Sequence, residues 1–345
     1  MAAFSDSHIH LPNTSVRLTT EILSDQETWL AMKILMFGIT PIISVFGIVG
    51  NILSIIILVR HGMAKCSNIL LVALALSDIT FLISFNSLPK VLYEAVWNHE
   101  YVGYSKASCD VLFILFSIFT LLDYTFGLLG ITLPMLITAE RLVVIFLPLN
   151  FSQVLTPTRT WLAVFVMAAY WLSICIYSSF WQGLDYFFDP ARNQSVGIIV
   201  KSAFFFQHED SVDTINHMII FSSMVIPPIF TVTGCVVISV KIQLALIKRQ
   251  KMTSTTRSMN RTTRTLLAVC AIYCVTAAVL SMPLYLPQEY ASYSLTDKSP
   301  TNMGKLFYQL VNTVTCINSS SNFIVYVGLN KQFRMTLKNI IYCSK

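Results

Sequence analysis

Charge is scarce in this chain of 345 residues. Asp, Glu, Lys and Arg together make up 12%, about half of the roughly 25% usual in soluble domains. Apolar residues reach 55%, and mean hydropathy is +0.67. This composition excludes a disordered, collagenous or coiled-coil chain, all of which need polar or periodic sequences. Catalytic signatures are missing as well. No H-E-x-x-H, G-x-S-x-G or P-loop spacing occurs, so an enzyme is not expected. No repeat of 20–50 residues is visible, which removes support for an inverted-repeat transporter. Residues 1–33 carry no apolar core, so no cleavable signal peptide is expected. The formal net charge is +6, which taken alone would allow nucleic-acid binding.

What the chain does have is long apolar runs. Seven are long enough for the roughly 20 residues that cross a bilayer: 34–59, 67–92, 111–147, 161–181, 215–247, 265–290 and 304–328. Lipid offers no partners to backbone N–H and C=O groups, so these runs must be helices. The expected fold is an all-α membrane protein. It comprises an outer tail (1–33), a seven-helix bundle (34–328) and a short cytoplasmic segment (329–345). In the last, Phe333, Leu337, Ile340 and Ile341 share one helical face and Lys331, Arg334 and Lys338 another, as in a helix lying on membrane lipid. Cys343 beside it is a palmitoylation candidate.

The few charges set the orientation. With the N-terminus outside and the C-terminus inside, the cytoplasmic segments hold 15 basic residues and one acid, Glu140. The outer segments hold 8 basic and 14 acidic residues, and Asp78 and Asp123 remain within spans. The excess of inner Lys and Arg obeys the positive-inside rule. The +6 is therefore a topology signal, and nucleic-acid binding is not expected. Sequons at Asn13 and Asn193 fall outside and are glycosylation candidates. Three further matches, at Asn150, Asn260 and Asn318, fall inside or within the bilayer and show how weak the pattern is.

An ionisable residue within a span marks a functional site by default. Gly50-Asn51 lies in the first span and Asp78 in the second, as Leu74-Ala75-Leu76-Ser77-Asp78. Glu140-Arg141-Leu142 ends the third, prolines occur in the fifth and sixth, and the seventh reads Asn318-Ser-Ser-Ser-Asn322-Phe-Ile-Val-Tyr326. In this order these residues resemble the rhodopsin-like G-protein-coupled receptors, over roughly residues 34–343. The resemblance is to divergent members, near invertebrate orphan, chemosensory and FMRFamide-type peptide receptors. It implies a receptor in the plasma membrane that couples an extracellular ligand to a heterotrimeric G protein. It also implies that Glu140 holds Arg141 inward at rest, although an Arg at this depth can equally snorkel to headgroups. Tyr326 and Asn322 match residues that rearrange on activation. Asn51, Asp78, Asn318 and Asn322 match a polar core network that often binds sodium. The third-helix position that normally adds a hydroxyl is Gly130, so a packing network without an ion is the other reading. No other cofactor is implied.

The chain departs from the family in several places. Ser281 replaces the Trp two residues before Pro283, and Phe323 replaces the Pro of the seventh helix. No Cys lies between Trp181 and His217, so the usual disulfide from the third helix to the second outer loop has no partner there. Cys109–Cys175 is the one alternative pairing. Without it, packing alone holds that loop, or the loop moves.

The ligand side follows from spacing. Asp123 lies 18 residues before Arg141, about 27 Å along a helix, at a position where some aminergic and peptide receptors pair a ligand ammonium. Tyr124, Tyr285, Gln288, Tyr308 and Asn312 match family positions around the same cavity. A buried carboxylate takes a cationic partner or stays protonated. Two readings stand: a ligand cation, or an internal partner such as Lys90. With an outer surface rich in acids, the expected ligand is a small basic or amidated neuropeptide. A biogenic amine or small chemosensory cation is the alternative, and a transporter or ion channel the alternative of another class.

Overall fold

The computed structural model describes residues 24–97, 106–189, 193–250, 261–282 and 301–342. It is built almost wholly of helices. α1 (Asp25–Lys33) runs through a π-helical stretch, Ile34–Ile39, into α2 (Thr40–Arg60). Then follow α3 (Cys66–Phe85), α4 (Leu88–Trp97), α5 (Lys106–Phe146), the short α6 (Phe151–Val154) and α7 (Pro157–Ser179). An antiparallel hairpin comes next, β1 (Gln182–Asp189) paired with β2 (Gln194–Lys201), then the short α8 (Ala203–Gln207). α9 (Glu209–Ile220) passes through a second π-helical stretch, Phe221–Val225, into α10 (Ile226–Gln250). α11 (Arg261–Ser281), α12 (Asn302–Leu329) and α13 (Lys331–Tyr342) complete the described chain.

Five of the described helical stretches are long and apolar enough to cross a membrane: Asp25–Arg60, Cys66–Phe85, Ser108–Phe146, Pro157–Ser179 and Glu209–Ala245. With α11 and α12 they match the seven expected spans. Their outward faces are apolar. Phe46 is 74% exposed, Phe165 68% and Ile324 70%, a surface that suits lipid and would be an aggregation hazard in water. The helix from Asp25 begins earlier than the expected 34, because Ser24 and Glu27 close a capping box ahead of it. The second span, expected to be continuous over 67–92, is broken after Phe85. Asn86 turns its side-chain amide onto the carbonyl of Leu82 (2.7 Å) and onto Ser44 (2.8 Å). Pro89 supplies no N–H to continue the ladder. The chain restarts as α4 on a new heading, and this break positions Lys90.

α2, α3, α5 and α12 form the centre of the bundle. The main core joins Ile57, Leu70, Leu74, Leu133, Ile137, Trp171 and Tyr326. Small residues allow the closest approach, as is usual between membrane helices. A Cβ on Gly47 would meet Ser320 Oγ at 2.1 Å and Leu82 at 2.8 Å, and one on Gly50 would meet Phe323 Cβ at 2.8 Å. Phe323, where the family carries Pro, therefore lies over Gly50 within an unbroken helix. Gly47→Ala should destabilise the bundle by roughly 1–3 kcal/mol through overpacking. Gly38→Ala is the control, since its Cβ would meet nothing within 4 Å. Thermal melts in detergent that showed equal effects would contradict this packing.

α13, expected as an amphipathic helix on the lipid surface, packs one face against the bundle. Phe333 is buried, and Leu337 and Ile340 pack on the same core. His61 bonds Thr336 across the gap to α2 (2.9 Å). Cys343 and Asn13 lie outside the described residues.

Candidate functional site

Two ends of the bundle can be told apart, one carrying the β-hairpin and the other carrying Arg141. Near the hairpin end the break after α3 turns Lys90 inward, and its ammonium meets the Asp123 carboxylate of α5. Both side chains are only 7% exposed. The ammonium lies 4.4 Å from the Phe85 ring centroid and 5.9 Å from that of Tyr124. Of the two readings of Asp123, the internal pair is the one present. Asp123 and Lys90 are brought together, whereas Tyr124 is turned half outward, 48% exposed. Tyr308 and Asn312 lie on α12 and are partly buried, and the Asn312 amide nitrogen is buried without a hydrogen-bond partner among the described residues. Tyr285 and Gln288 lie outside the described residues. The sequence offered Lys90 as an internal partner of Asp123, but with an unbroken second span over 67–92 and not with the break that turns it inward. Sequence reasoning also passed over Gln309, whose spacing to Thr313 and Cys316 puts it on the buried face of α12.

Midway along the bundle, Asn322 donates to Asp78 Oδ2 (2.8 Å), and the Ser319 side chain lies beside the same carboxyl. Asn51 donates to the Ser319 carbonyl (2.9 Å). Three of the four expected members thus converge on α12. Asn318 does not join them; its side-chain oxygen accepts from Thr276 of α11 (3.3 Å). Asn318 lies about 100° around the helix from Ser319 but only about 40° from Asn322, at the edge of the Asp78 face, and its side chain turns to α11. Asp78 Oδ1 and Ser77 Oγ each lie 3.6 Å from where a Cβ on Gly130 would stand. The missing side chain therefore leaves a small cradle bounded by two oxygens.

At the other end, Arg141 is folded back rather than extended toward headgroups. Its Nε lies 3.0 Å from Glu140 Oε2. Its Nη2 donates to Ser67 Oγ (2.7 Å), and Ser67 in turn donates to Glu140 Oε1 (2.9 Å). Ser67, at the start of α3, closes this triangle and was not singled out by sequence. Tyr326 is buried and packs against Phe333 of α13 at 5.6 Å between ring centroids.

The hairpin lies against the head of α5. Tyr186 donates to Asp110 Oδ1 (2.6 Å), and the Lys106 ammonium stands 5.2 Å from the Tyr186 ring. Desolvation first, and then the Asp110 carboxylate it serves, pushes the Tyr186 hydroxyl up to about 12. It remains a donor at any ordinary pH. Cys175 is a buried free thiol, so it forms no bridge with Cys109. Packing holds the loop instead: Cys109 lies against Gly197 of β2. Asn193 is exposed at the hairpin turn with a φ of 51°, a conformation Asn tolerates.

A seven-helix bundle with an Arg-carboxylate pair at one end, a buried Asp at its middle and a buried ion pair near the other is a specific combination. The family model of the 7 transmembrane receptor (rhodopsin family) matches residues 50–326. The chain belongs to that family. It is a multi-pass membrane protein of a receptor family, not of an enzyme family, and this sets aside the transporter or channel reading. Two curated relatives extend the match beyond the bundle. Neurotensin receptor type 2 of Rattus norvegicus is 23% identical, with 94% of this chain and 86% of the relative covered. Neurotensin receptor type 2 of Mus musculus is 22% identical over the same shares.

Proposed function

We propose that this receptor stands in the plasma membrane with its hairpin end and N-terminus outside and its C-terminus in the cytoplasm. There it binds a small basic or amidated peptide and activates a heterotrimeric G protein at the Arg141 end. The observation that carries this reading is the buried Lys90–Asp123 pair near the hairpin end. An ion pair taken out of water is weak evidence for stability, and in a membrane bundle it is a functional-site candidate. A ligand ammonium reaches Asp123 by displacing Lys90, whose ammonium must then turn out to water or meet an acceptor on the ligand. Exposed Asp110, Asp185, Glu209, Asp210 and Asp213 surround the approach and attract cations by long-range field. The relatives are named for neurotensin, a peptide, which favours a peptide over an amine.

At the Arg141 end, the ligand-bound packing would release Arg141 from Glu140 and Ser67 and let Tyr326 leave Phe333. Cytoplasmic residues 248–264 contain no acid, so no carboxylate from the sixth helix holds Arg141, and Ser67 has the larger share. Asp78, Ser77 and the Ser319 hydroxyl supply oxygens that fit a sodium ion in the Gly130 cradle. Such an ion would steady the resting layer.

The test is nucleotide exchange on purified heterotrimer, with the receptor in lipid nanodiscs and a panel of basic and amidated peptides and of amines. Exchange stimulated by peptides supports the proposal, and stimulation by amines alone overturns its peptide part. Ser67→Ala should raise exchange without ligand by about 3-fold, the worth of one net hydrogen bond or a little less. An unchanged basal rate would show that Ser67 does not restrain Arg141.

A further inference from the structure

Gln309 of α12 is 1% exposed, yet among the described residues neither its amide nitrogen nor its amide oxygen has a hydrogen-bond partner. Most buried side-chain polar atoms are bonded, because a primary amide withdrawn from water without a partner is destabilising. The backbone around it cannot shift to relieve this. The Gln309 carbonyl accepts from the Thr313 hydroxyl (2.9 Å), and Thr313 is bonded to Thr40 of α2 (2.9 Å). The turn is therefore pinned across two helices.

Two more buried groups near the hairpin end share the condition. The Asn312 amide nitrogen, almost one turn along α12 from Gln309, is buried without a partner. So is the hydroxyl of Ser87, in the break three residues before Lys90. Cys316, two turns along α12 from Gln309, packs in one cluster with Phe85, the ring beside which the Lys90 ammonium stands. This stretch of α12 thus runs beside the layer of the ion pair.

We infer that Gln309, seconded by Asn312, is the recognition site for a carboxamide of the ligand, the C-terminal amide of an amidated peptide. The inference rests on the peptide reading above and narrows it. A Gln side chain presents one acceptor and a donor side by side. A carboxamide presents the same pair reversed, so the two close a ring of two hydrogen bonds. The Asn312 N–H then serves the second lone pair of the ligand carbonyl. An ionised carboxylate cannot replace the amide, since it is acceptor-only and would leave Gln309 Oε1 facing negative charge.

Two measurements on the full-length receptor test this. The first needs no ligand. Gln309→Met keeps the shape and removes the orphaned groups, so its melting temperature should exceed that of the wild type. A lower melting temperature would mean that Gln309 is bonded within the resting protein, and would overturn the inference. The second compares short basic peptides ending in a carboxamide with the same peptides as free acids, by nucleotide exchange. The wild type should prefer the amides by about 30-fold in potency, the scale of a buried polar group left unpaired, and Gln309→Met should lose that preference. Equal potency of amide and acid on the wild type, or a preference that survives in Gln309→Met, overturns the inference and leaves the peptide reading standing. Silence of the wild type toward every peptide, with a response to amines, overturns both.

Discussion

Lys90→Met should destabilise the receptor by about 3–5 kcal/mol, the cost of breaking a buried ion pair from one side. The figure applies because both side chains are almost wholly withdrawn from solvent. Removing the ammonium leaves the Asp123 carboxylate near the Phe85 ring with its main counter-charge gone, and Asp123→Leu strands the ammonium in the same way. The double variant Lys90→Met/Asp123→Leu should recover most of the loss, because an apolar pair of similar volume replaces two charges that were costly to bury. Thermal melts of the four proteins in one detergent give the coupling directly. If the double variant is as unstable as the two single losses added together, the two residues act separately and the pair is not a unit. Signalling should separate from stability in this series. A ligand whose ammonium exchanges with Lys90 has nothing to bind in Asp123→Leu, whatever the melting temperature.

Gly197→Cys should form a disulfide with Cys109 and stabilise the receptor by about 2–4 kcal/mol. A Cβ built on Gly197 stands 3.2 Å from the Cys109 Cβ, a few tenths of an ångström inside the usual spacing of roughly 3.5–4.5 Å. The hairpin need move only slightly to close the bridge. The backbone at Gly197 does not have a positive φ, and the new Cβ would also stand 3.2 Å from Leu184 Cδ1 and Tyr186 Cε1, so both side chains must give by a few tenths of an ångström. The bridge would join residues 88 apart in sequence, a long loop of the kind for which the chain-entropy model gives the larger gains. It would also restore by covalent means what the family usually has and what the Tyr186–Asp110 bond and Lys106 now supply by contact. Non-reducing mass analysis and a melt with and without reductant check it. If the thiol introduced by Gly197→Cys stays open to alkylation under oxidising conditions, the hairpin does not lie where it is described.

Much of the fold was legible because the lipid constraint is severe. A run of apolar residues that must satisfy its own backbone has one answer, and the seven spans followed from it. Arg141, Glu140 and Asp78 were legible for the same reason: a charge in an apolar run stands out. What escaped were features set by one residue's local choice. The Asn86 amide and Pro89 break the second span and turn Lys90 inward, and no hydropathy window registers that. Asn318 was grouped with Asp78 because both are polar and within spans. Although it lies only about 40° around the helix from Asn322, its side chain turns to Thr276 of α11 instead. Ser67 and Gln309 were invisible because Ser and Gln are ordinary residues until their surroundings are known. The hairpin escaped because its residues lie between spans, where the lipid constraint does not act.

The replacement of the family's helix-seven proline by Phe323 has a mechanical consequence. α12 runs for 28 residues without a proline, a rod about 42 Å long. Ser320 packs against Gly47 and Phe323 against Gly50, where a Cβ on either glycine would not fit. A rod without a hinge moves as one piece, and this one is tied along its length, to Asp25 through Asn302, to Thr40 through Thr313 and to Asp78 through Asn322. Displacing either end therefore strains every one of those ties at once, whereas a helix with a proline could bend between them.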